Sequence, residues 1–563
     1  MNEQETAKQV TIYVDGQAVQ VPAGMNLIEA VAQVGKEVPH YCYHPKLSIA
    51  GNCRMCLVEV GSPMRDRQTG EAVLETDGSP KIGWAPKPAI ACAEQAREGM
   101  HVRTESNLIK DCRNGVMEFL LVNHPLDCPI CDQAGECSLQ EFATDYGRGY
   151  SRFIEEKNVK PKRTRLGPRI TLDDERCILC SRCVRFCDEI IGESFLGFVD
   201  RGSYSTLTNY PGKDFDSNYS LNTVDICPVG ALTSTDFRFK MRVWFLKPTK
   251  SICTESSVGV NTEVWSREGK IYRITPRTNN AVNDDWMSDS GRELYKQVEA
   301  DTRLKEFRVD GNRVKLGEAL DRVVELFKVD DRVAYVGSAH ASLEEQFLLK
   351  QLVAVKPGPV SLAAHEQDGD GFLISNDATP NLRGALVTGL IDQKPRPALP
   401  ELAELIESGS VKLLFVVNED LTQLGITEAL LRKVDIVYLG TQKNQTSRMA
   451  KVELPMLTVF EKSGTFINQA FRLQKFHQVV PGPAGLLPDI HILSRLLGLF
   501  QGIEPKPTSL DNLWQAMANG LPALKGHAFA TIPDEGVLLD ASPYKHINFC
   551  EGETLHYNPD CTT

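Results

Sequence analysis

Between Asn123 and Gln140 the chain reads NHPLDCPICDQAGECSLQ, which sets His124, Cys128, Cys131 and Cys137 at H-x3-C-x2-C-x5-C. Pro125, Pro129 and Gly135 oppose helix, so the backbone here loops around a common centre. Thiolates select zinc or iron–sulfur clusters. One imidazole among three thiolates fits either a structural zinc or a [4Fe-4S] cluster with one unusual ligand. Further along, DDERCILCSRCVRFCDEI places Cys177, Cys180 and Cys183 at C-x2-C-x2-C, and Cys227 in DICPVGALT adds a distant cysteine followed by proline. Together these are the signature of a bacterial-type [4Fe-4S] ferredoxin module. Cys187 has Asp188 after it and no partner triplet near Cys227, so Cys227 is the expected fourth ligand and Cys187 a non-ligand.

A third cysteine group lies upstream: Cys42, then Cys53 and Cys56 in GNCRMC, then Cys92 in AIACAEQ. A plant-type ferredoxin has C-x4-C-x2-C and a distant fourth cysteine; here the order is kept and the first gap is ten residues. Zinc remains open for this group, because zinc sites also use C-x2-C pairs. Cys112 is expected to be a core or surface residue. Eleven cysteines and one histidine thus make three four-ligand sites, and three clusters with no obvious substrate pocket suggest a wire for single electrons.

The elements around these residues follow from pattern. VTIYVDGQAVQV, residues 10–21, alternates like a half-buried hairpin, with Asp15-Gly16 as a type I′ turn. A helix is expected over about 26–34, giving the hairpin, helix and cysteine loop of a β-grasp ferredoxin. A second helix is expected over 107–122. Residues 152–169 are rich in Lys, Arg and Pro and read as a linker. RVAYVGSAHASLEEQFLLKQLV reads as strand, turn and helix, and VKLLFVVNEDL and VDIVYLG as further buried strands, which is the alternation of a doubly wound α/β domain. No G-x-G-x-x-G and no P-loop occurs, so no nucleotide is expected there. Residues 481–488 and the tail beyond 500 are expected to be irregular surface covering.

Length and composition limit the function. A chain of 563 residues exceeds one core and suggests about four domains. A net charge of -12 argues against nucleic acid. The start, MNEQETAKQV, has neither a basic n-region nor an apolar run, and no stretch approaches the ~20 apolar residues of a membrane span. The expected location is the cytoplasm, with membranes touched only through partners. Of 16 cysteines, 14 precede residue 254 and the others are Cys550 and Cys561. That crowding fits metal or cluster ligation in a reducing compartment better than a secreted disulfide framework.

Three cluster motifs in this order, followed by an α/β region, make the chain resemble the large iron–sulfur subunits of respiratory complex I, the NADH:quinone oxidoreductases. FEKSGTFIN and DATPNLRGA echo pieces of the molybdopterin-oxidoreductase fold. The resemblance implies a [2Fe-2S] cluster on Cys42, Cys53, Cys56 and Cys92, a [4Fe-4S] cluster on His124, Cys128, Cys131 and Cys137, and a second [4Fe-4S] cluster on Cys177, Cys180, Cys183 and Cys227. It implies a multidomain α+β and α/β chain: a β-grasp [2Fe-2S] ferredoxin over 1–105, a His-ligated segment over 106–150, a ferredoxin-like module over 151–248, and a shortened molybdopterin-oxidoreductase-like domain without molybdenum cofactor over 249–500, with a tail over 501–563. Electrons would arrive from a flavin-containing, NADH-oxidising subunit at the [2Fe-2S] centre. They would pass to the ferredoxin-type cluster and leave by the His-ligated one toward quinone-module subunits of the peripheral arm, on the cytoplasmic side of the inner membrane. No NADH site, quinone site or direct membrane insertion is expected on this chain.

Many bacterial relatives carry an extra [4Fe-4S] cluster, with C-x2-C-x3-C and a later cysteine. Here SICTESSVGVNTEVW keeps Cys253 but has Ser256 and Val260, and Ser288 stands at the later position. No additional cluster is expected at Cys253. An electron-transfer subunit of a soluble NAD-linked hydrogenase or formate dehydrogenase is the alternative, disfavoured by the long α/β region. A catalytic molybdenum or hydrogenase enzyme would need ligands that the cysteine-free stretch from Thr254 to Phe549 lacks. A zinc-braced scaffold would be neither brown nor redox active.

Overall fold

The computed structural model describes residues 8–66, 68–503, 508–549 and 551–559; Cys550 and Cys561 lie outside them. Two compact units are present, Met1–Trp244 and Phe245–Thr563.

In the first unit, Gln9–Val14 and Gln17–Pro22 pair antiparallel. Asp15 and Gly16 both have positive φ, 47° and 89°, the pair that a type I′ turn requires. Val10, Ile12 and Val14 alternate into the core, against a helix over Leu27–Ala32 that starts at an Asn26 cap and buries Leu27, Ile28 and Val31. His101–Arg103 joins parallel to the first strand, and Leu57–Pro63 pairs with it antiparallel. This closes the ferredoxin sheet beside the cysteine loop. Ser106 caps the helix Asn107–Leu121, which runs into the His124 loop. The ferredoxin-like module hangs on Ile170–Leu172, paired antiparallel with Leu232–Ser234. A short helix over Arg182–Phe186 follows its cysteine loop.

The second unit begins with an antiparallel meander, Lys247–Ile252, Asn261–Arg267 and Lys270–Pro276. Beyond it, the strands Val452–Pro455, Asp435–Gly440, Leu413–Val417, Val333–Gly337 and Val360–Leu362 lie side by side, all parallel. Along Leu413–Val417 the odd positions Leu413, Phe415 and Val417 enter one core, and Leu414 and Val416 enter the other. A strand buried on both faces reads as the continuous apolar run seen in the sequence.

The tail departs from expectation. Residues beyond 500 are not mere covering: Leu510–Gly520 is a helix that buries Leu513, Trp514 and Met517, and these join the core of the parallel sheet. Trp514 Nε1 donates to Glu344 at 2.8 Å. Apolar residues at i, i+3, i+4 and i+7 after a Ser509 cap make this helix. Among the described residues no helix is long and apolar enough to cross a membrane.

Candidate iron–sulfur centres

The first cysteine group converges in the ferredoxin unit. Cys42, Cys56 and Cys92 are buried and Cys53 half-buried. Gly51 turns the loop with a φ of 61°, and the backbone N–H groups of Cys53 and Asn52 are directed at the Cys42 sulfur. The thiols hydrogen-bond to one another, Cys42 with Cys53 and Cys92, and Cys92 with Cys56. These bonds hold Cys42 well below the usual thiol range and push Cys53 and Cys92 up. The group thus concentrates negative charge on sulfur that amide dipoles already stabilise, which is the environment of a cluster ligand.

The second group is the ferredoxin-like one. Burial pushes Cys177 up to about 12 and Cys180 up to about 11. Cys183 lies within electrostatic reach of Cys177, Cys180 and Cys227. Leu179 and Ser181, between these cysteines, both hold left-handed backbone, φ 56° and 63°. That is a local strain of the kind kept at functional sites. The N–H groups of Val229, Ala231 and Leu232 are directed at Cys227. Cys177, Cys180, Cys183 and Cys227 are each half-buried, and desolvation raises all four thiols; a bound cationic metal centre would supply the compensating charge. Cys187 is fully buried; its sulfur accepts from the N–H groups of Phe195 and Leu196.

The third group is looser. Cys131 and Cys137 are buried and Cys128 exposed, and Cys137 lies within electrostatic reach of both others. Burial pushes Cys137 up to about 11, opposed by the N–H groups of Gln140 and Leu139. His124 is half-buried on the same loop. Burial, then the Arg176 and Lys157 charges, push its imidazole down to about 4, so it is neutral and able to ligate. The charges acting most strongly on it are those of Arg176, Lys157, Asp127 and Lys162. Among the described residues no three His, Cys, Asp or Glu side chains are drawn in around a single-ion centre. Cys112, half-buried on the helix Asn107–Leu121, belongs to none of the three groups.

The three groups are neighbours. The Arg185 guanidinium donates to the carbonyls of Cys42 and Ser48. Arg182 donates to the carbonyls of Tyr43 and Ile226, and Asn52 donates to Leu179 O at 3.2 Å. The ferredoxin-like loop is thereby stitched to the Cys42 loop. On its other side, Ser138 N–H donates to Pro228 O at 3.1 Å, and Gly230 has no room for a β-carbon because the Cys131 sulfur lies against it. The module of Cys177 to Cys227 therefore adjoins both other sites, and those two also meet at Tyr41, which lies within electrostatic reach of Cys53 and Cys137. Sequence reasoning missed Arg182, Arg185 and Gly230, whose partners are remote in the chain.

Two further places in the second unit bear on cofactors. At Cys253, a β-carbon on Gly291 would meet both Cys253 Sγ and Ser288 Oγ at 2.8 Å, so these positions converge. Ser288 Oγ instead donates to Glu255 at 2.5 Å and caps Gly291 N–H. One thiol, two hydroxyls and an isopropyl group do not fit a four-thiolate cluster. At the carboxyl ends of the parallel strands, where their order reverses, a cavity of about 80 Å³ is lined by His340, Asn418, Thr441 and Lys462. Lys462 is engaged by Glu345 and Asp489 at 2.5 and 2.6 Å. Cofactor pockets span roughly 300–1,000 Å³, so these residues do not fit a molybdopterin.

Comparison with known families agrees with this layout. The models matched are a 2Fe-2S iron-sulfur cluster binding domain over residues 7–107 and the NADH-ubiquinone oxidoreductase-G iron-sulfur binding region over 113–152. They continue with the NADH-quinone oxidoreductase subunit 3 ferredoxin-like domain over 167–233, the NADH-ubiquinone oxidoreductase NDSU1/NuoG-like 4Fe-4S domain over 246–296, and molybdopterin oxidoreductase over 331–498. The G subunit of NADH-quinone oxidoreductase from Rickettsia felis is 40% identical over 350 residues, 61% of this chain and 49% of that one. The NADH-ubiquinone oxidoreductase 75 kDa subunit of Reclinomonas americana is 44% identical over 292 residues, 51% of this chain and 38% of that one. A chain in the crystal structure of NAD+-reducing [NiFe]-hydrogenase in the H2-reduced state matches at 26% identity over 42% of this chain and 91% of that one; its TM-score of 0.32 supports no structural argument. The matches span about half the length of these curated relatives or less. In its successive iron–sulfur domain matches and its α/β domain match, the chain is similar to the G and 75 kDa subunits of the NADH-quinone and NADH-ubiquinone oxidoreductases.

Proposed function

We propose that the chain is the iron–sulfur electron-transfer subunit of an NADH:quinone oxidoreductase. One observation carries this: the ferredoxin-like cysteine loop is hydrogen-bonded to the Cys42 loop on one side and packed against the Cys131 loop on the other. Adjoining carriers are what a relay requires. Cys42, Cys53, Cys56 and Cys92 would hold a [2Fe-2S] cluster, Cys177, Cys180, Cys183 and Cys227 a [4Fe-4S] cluster, and His124, Cys128, Cys131 and Cys137 the exit [4Fe-4S] cluster. Such clusters supply one-electron carriers when bound. The protein's residues orient the thiolates, aim amides at sulfur, and place Arg182 between the first two sites. The domains lie over 1–105, 106–150, 151–248 and 249–500, with the helix Leu510–Gly520 adding to the last core. Cys253 carries no further cluster, because Ser256, Val260 and Ser288 offer no thiolates. The α/β domain holds no molybdenum cofactor, because the crevice at its strand ends is filled by the Lys462 network.

The partners on this reading are a flavin-containing, NADH-oxidising subunit and quinone-module subunits, with the chain peripheral on the cytoplasmic face of the inner membrane. The test is iron, zinc and acid-labile sulfide on anaerobically purified protein, with low-temperature EPR of the reduced sample. About ten irons per chain, with one [2Fe-2S] and two [4Fe-4S] signals, support the reading. About fourteen irons would show the Cys253 site filled, and stoichiometric zinc without iron would return the scaffold reading.

A further inference from the structure

In the second unit, polar residues from three strand ends meet at the carboxyl edge of the parallel sheet. Ser338 and His340 follow Val333–Gly337, His365 follows Val360–Leu362, and Glu419 follows Leu413–Val417. The strand order reverses here, and open α/β sheets place their ligands in such a crevice. Glu419 is buried, with its side chain 3% exposed. It accepts from Ser338 Oγ at 2.7 Å and is joined to His365 Nε2 at 2.8 Å. Among the described residues His365 is its one ionic partner. A buried carboxylate without a Lys or Arg needs its counter-charge from another source, and the imidazole of His365 is the route to it.

The carboxylate fixes the orientation of His365. With Nε2 on Glu419, Nδ1 is left for another partner. The His340 ring stands beside it, 5.7 Å from centroid to centroid and tilted by 51°. The His340 backbone N–H donates to Ser338 Oγ at 3.1 Å, which holds the main chain while the side chain stays exposed and lines the crevice with Asn418 and Thr441. Among the described residues neither ring nitrogen of His340 nor Nδ1 of His365 makes a hydrogen bond. Desolvation lowers the His340 imidazole, so it is neutral and keeps a lone pair for a ligand. A metal-bound imidazole nitrogen lies about 2.1 Å from its ion, which puts two ring centroids on one ion about 4.5–6 Å apart. The two rings stand within that range.

We propose that His340 and His365 hold a divalent transition-metal ion of the zinc, cobalt or nickel class, with Glu419 as the carboxylate that orients His365. A ligating histidine whose other nitrogen is held by a carboxylate is the usual construction of such sites. Among the described residues no third His, Cys, Asp or Glu side chain joins the pair, so water completes the shell. The ion takes the place of a proton on His365 Nδ1 and supplies the charge that Glu419 lacks. It also ties together the ends of three strands.

The probe is Co2+, added to the full chain with its iron centres oxidised. Equilibrium dialysis should find about one Co2+ per wild-type chain, and pulsed EPR should show imidazole nitrogen and no thiolate around it. His340→Ala changes an exposed side chain, and His365→Gln keeps a donor for Glu419; each should weaken retention by at least roughly ten-fold. Glu419→Gln should weaken it roughly ten- to hundred-fold with both rings still present. Iron per chain, and the melting temperature without Co2+, should stay near wild type in His340→Ala. With Co2+ the wild-type melting temperature should rise and that of His340→Ala should not. A wild-type chain that retains no Co2+, equal retention in His340→Ala, or a spectrum of thiolate ligation would overturn the site.

Discussion

Gly230→Ala probes the junction between the ferredoxin-like module and the His124 loop. A β-carbon at residue 230 would stand 3.0 Å from Gln133 Cβ and closer still to Cys131 Sγ. Non-bonded carbon contacts are optimal at about 3.5–4.0 Å, so the loop Cys131–Gln133 must retreat by roughly 1 Å. It cannot do so freely: the Arg242 guanidinium grips the carbonyls of Cys131 and Pro129, and Ser138 is tied to Pro228. Overpacking of this kind costs about 1–3 kcal/mol. At about 2 kcal/mol, retention of the cluster on that loop weakens roughly thirty-fold. The assay is the rate at which each EPR signal disappears under an iron chelator. The signal of the His124 site should vanish first and fast, with the [2Fe-2S] signal lost at the wild-type rate. An alanine variant in which all three signals decay at wild-type rates would refute the close approach.

Arg182→Gln removes a cation that acts on Cys180, Cys227 and Cys42 together. A charge at about 8 Å in an effective dielectric of about 20 is worth about 2 kcal/mol. Redox titration should show both the [2Fe-2S] and the ferredoxin-like midpoints lowered by tens of millivolts; a change in only one, or a rise, would contradict the shared position. Cys187→Ser should leave iron content unaltered, whereas loss of about four irons would make Cys187 a ligand in place of Cys227. His124→Cys should still assemble a cluster but at lower potential, since thiolate adds the negative charge that neutral imidazole withholds; an unchanged or higher midpoint would count against His124 as a ligand. His365 is held above its ordinary value of 6.5, first by its hydrogen bond to Glu419. A raised folded value stabilises below the unfolded one and loses that stability as pH rises through the folded one. The melting-temperature advantage of wild type over His365→Gln should therefore shrink as pH rises above the ordinary value of 6.5, and an advantage that grows would reverse the assignment.

Most of the scaffold was legible because its elements announce themselves locally. The Asp15-Gly16 turn needs two positive φ angles and uses a residue pair that tolerates them. The strands at 333, 413 and 435 are apolar on both faces and bounded by turn residues. The nearness of Cys53 to Cys56 and of Cys177, Cys180 and Cys183 to one another was legible for the same reason, since C-x2-C spacing fixes neighbours within one loop. What stayed hidden depends on distant pairings. Arg182 and Arg185 sit in plain view between the cysteines, yet the carbonyls of Tyr43 and Cys42 that they reach are more than a hundred residues away. The helix at 510–520 did carry its signal, and the surrounding prolines and glycines masked it. The basic segment at 152–169 lacks periodicity because it is held by side-chain bonds to a helix end rather than by a sheet or helix of its own.

The two arginines also bear on why these sites share a unit. Residues of all three groups contribute to one apolar core: Tyr41 and Met55 from the first, Cys137 and Leu139 from the exit loop, and Leu172, Leu232 and Val229 from the central module. A core assembled from three segments cannot close until each loop is in place. Arg182 and Arg185 then satisfy the part-buried carbonyls of Tyr43, Ile226 and Cys42 at the seam, and leaving such a group unpaired costs roughly 1–3 kcal/mol. The same guanidinium groups carry positive charge beside sulfur, where it favours the reduced form of an acceptor. Replacing them by apolar residues would therefore weaken the seam and lower the potentials together, a coupling that separates these arginines from surface cations such as Arg152, whose hydrogen bonds go to the Glu118 carboxylate rather than to a cysteine loop.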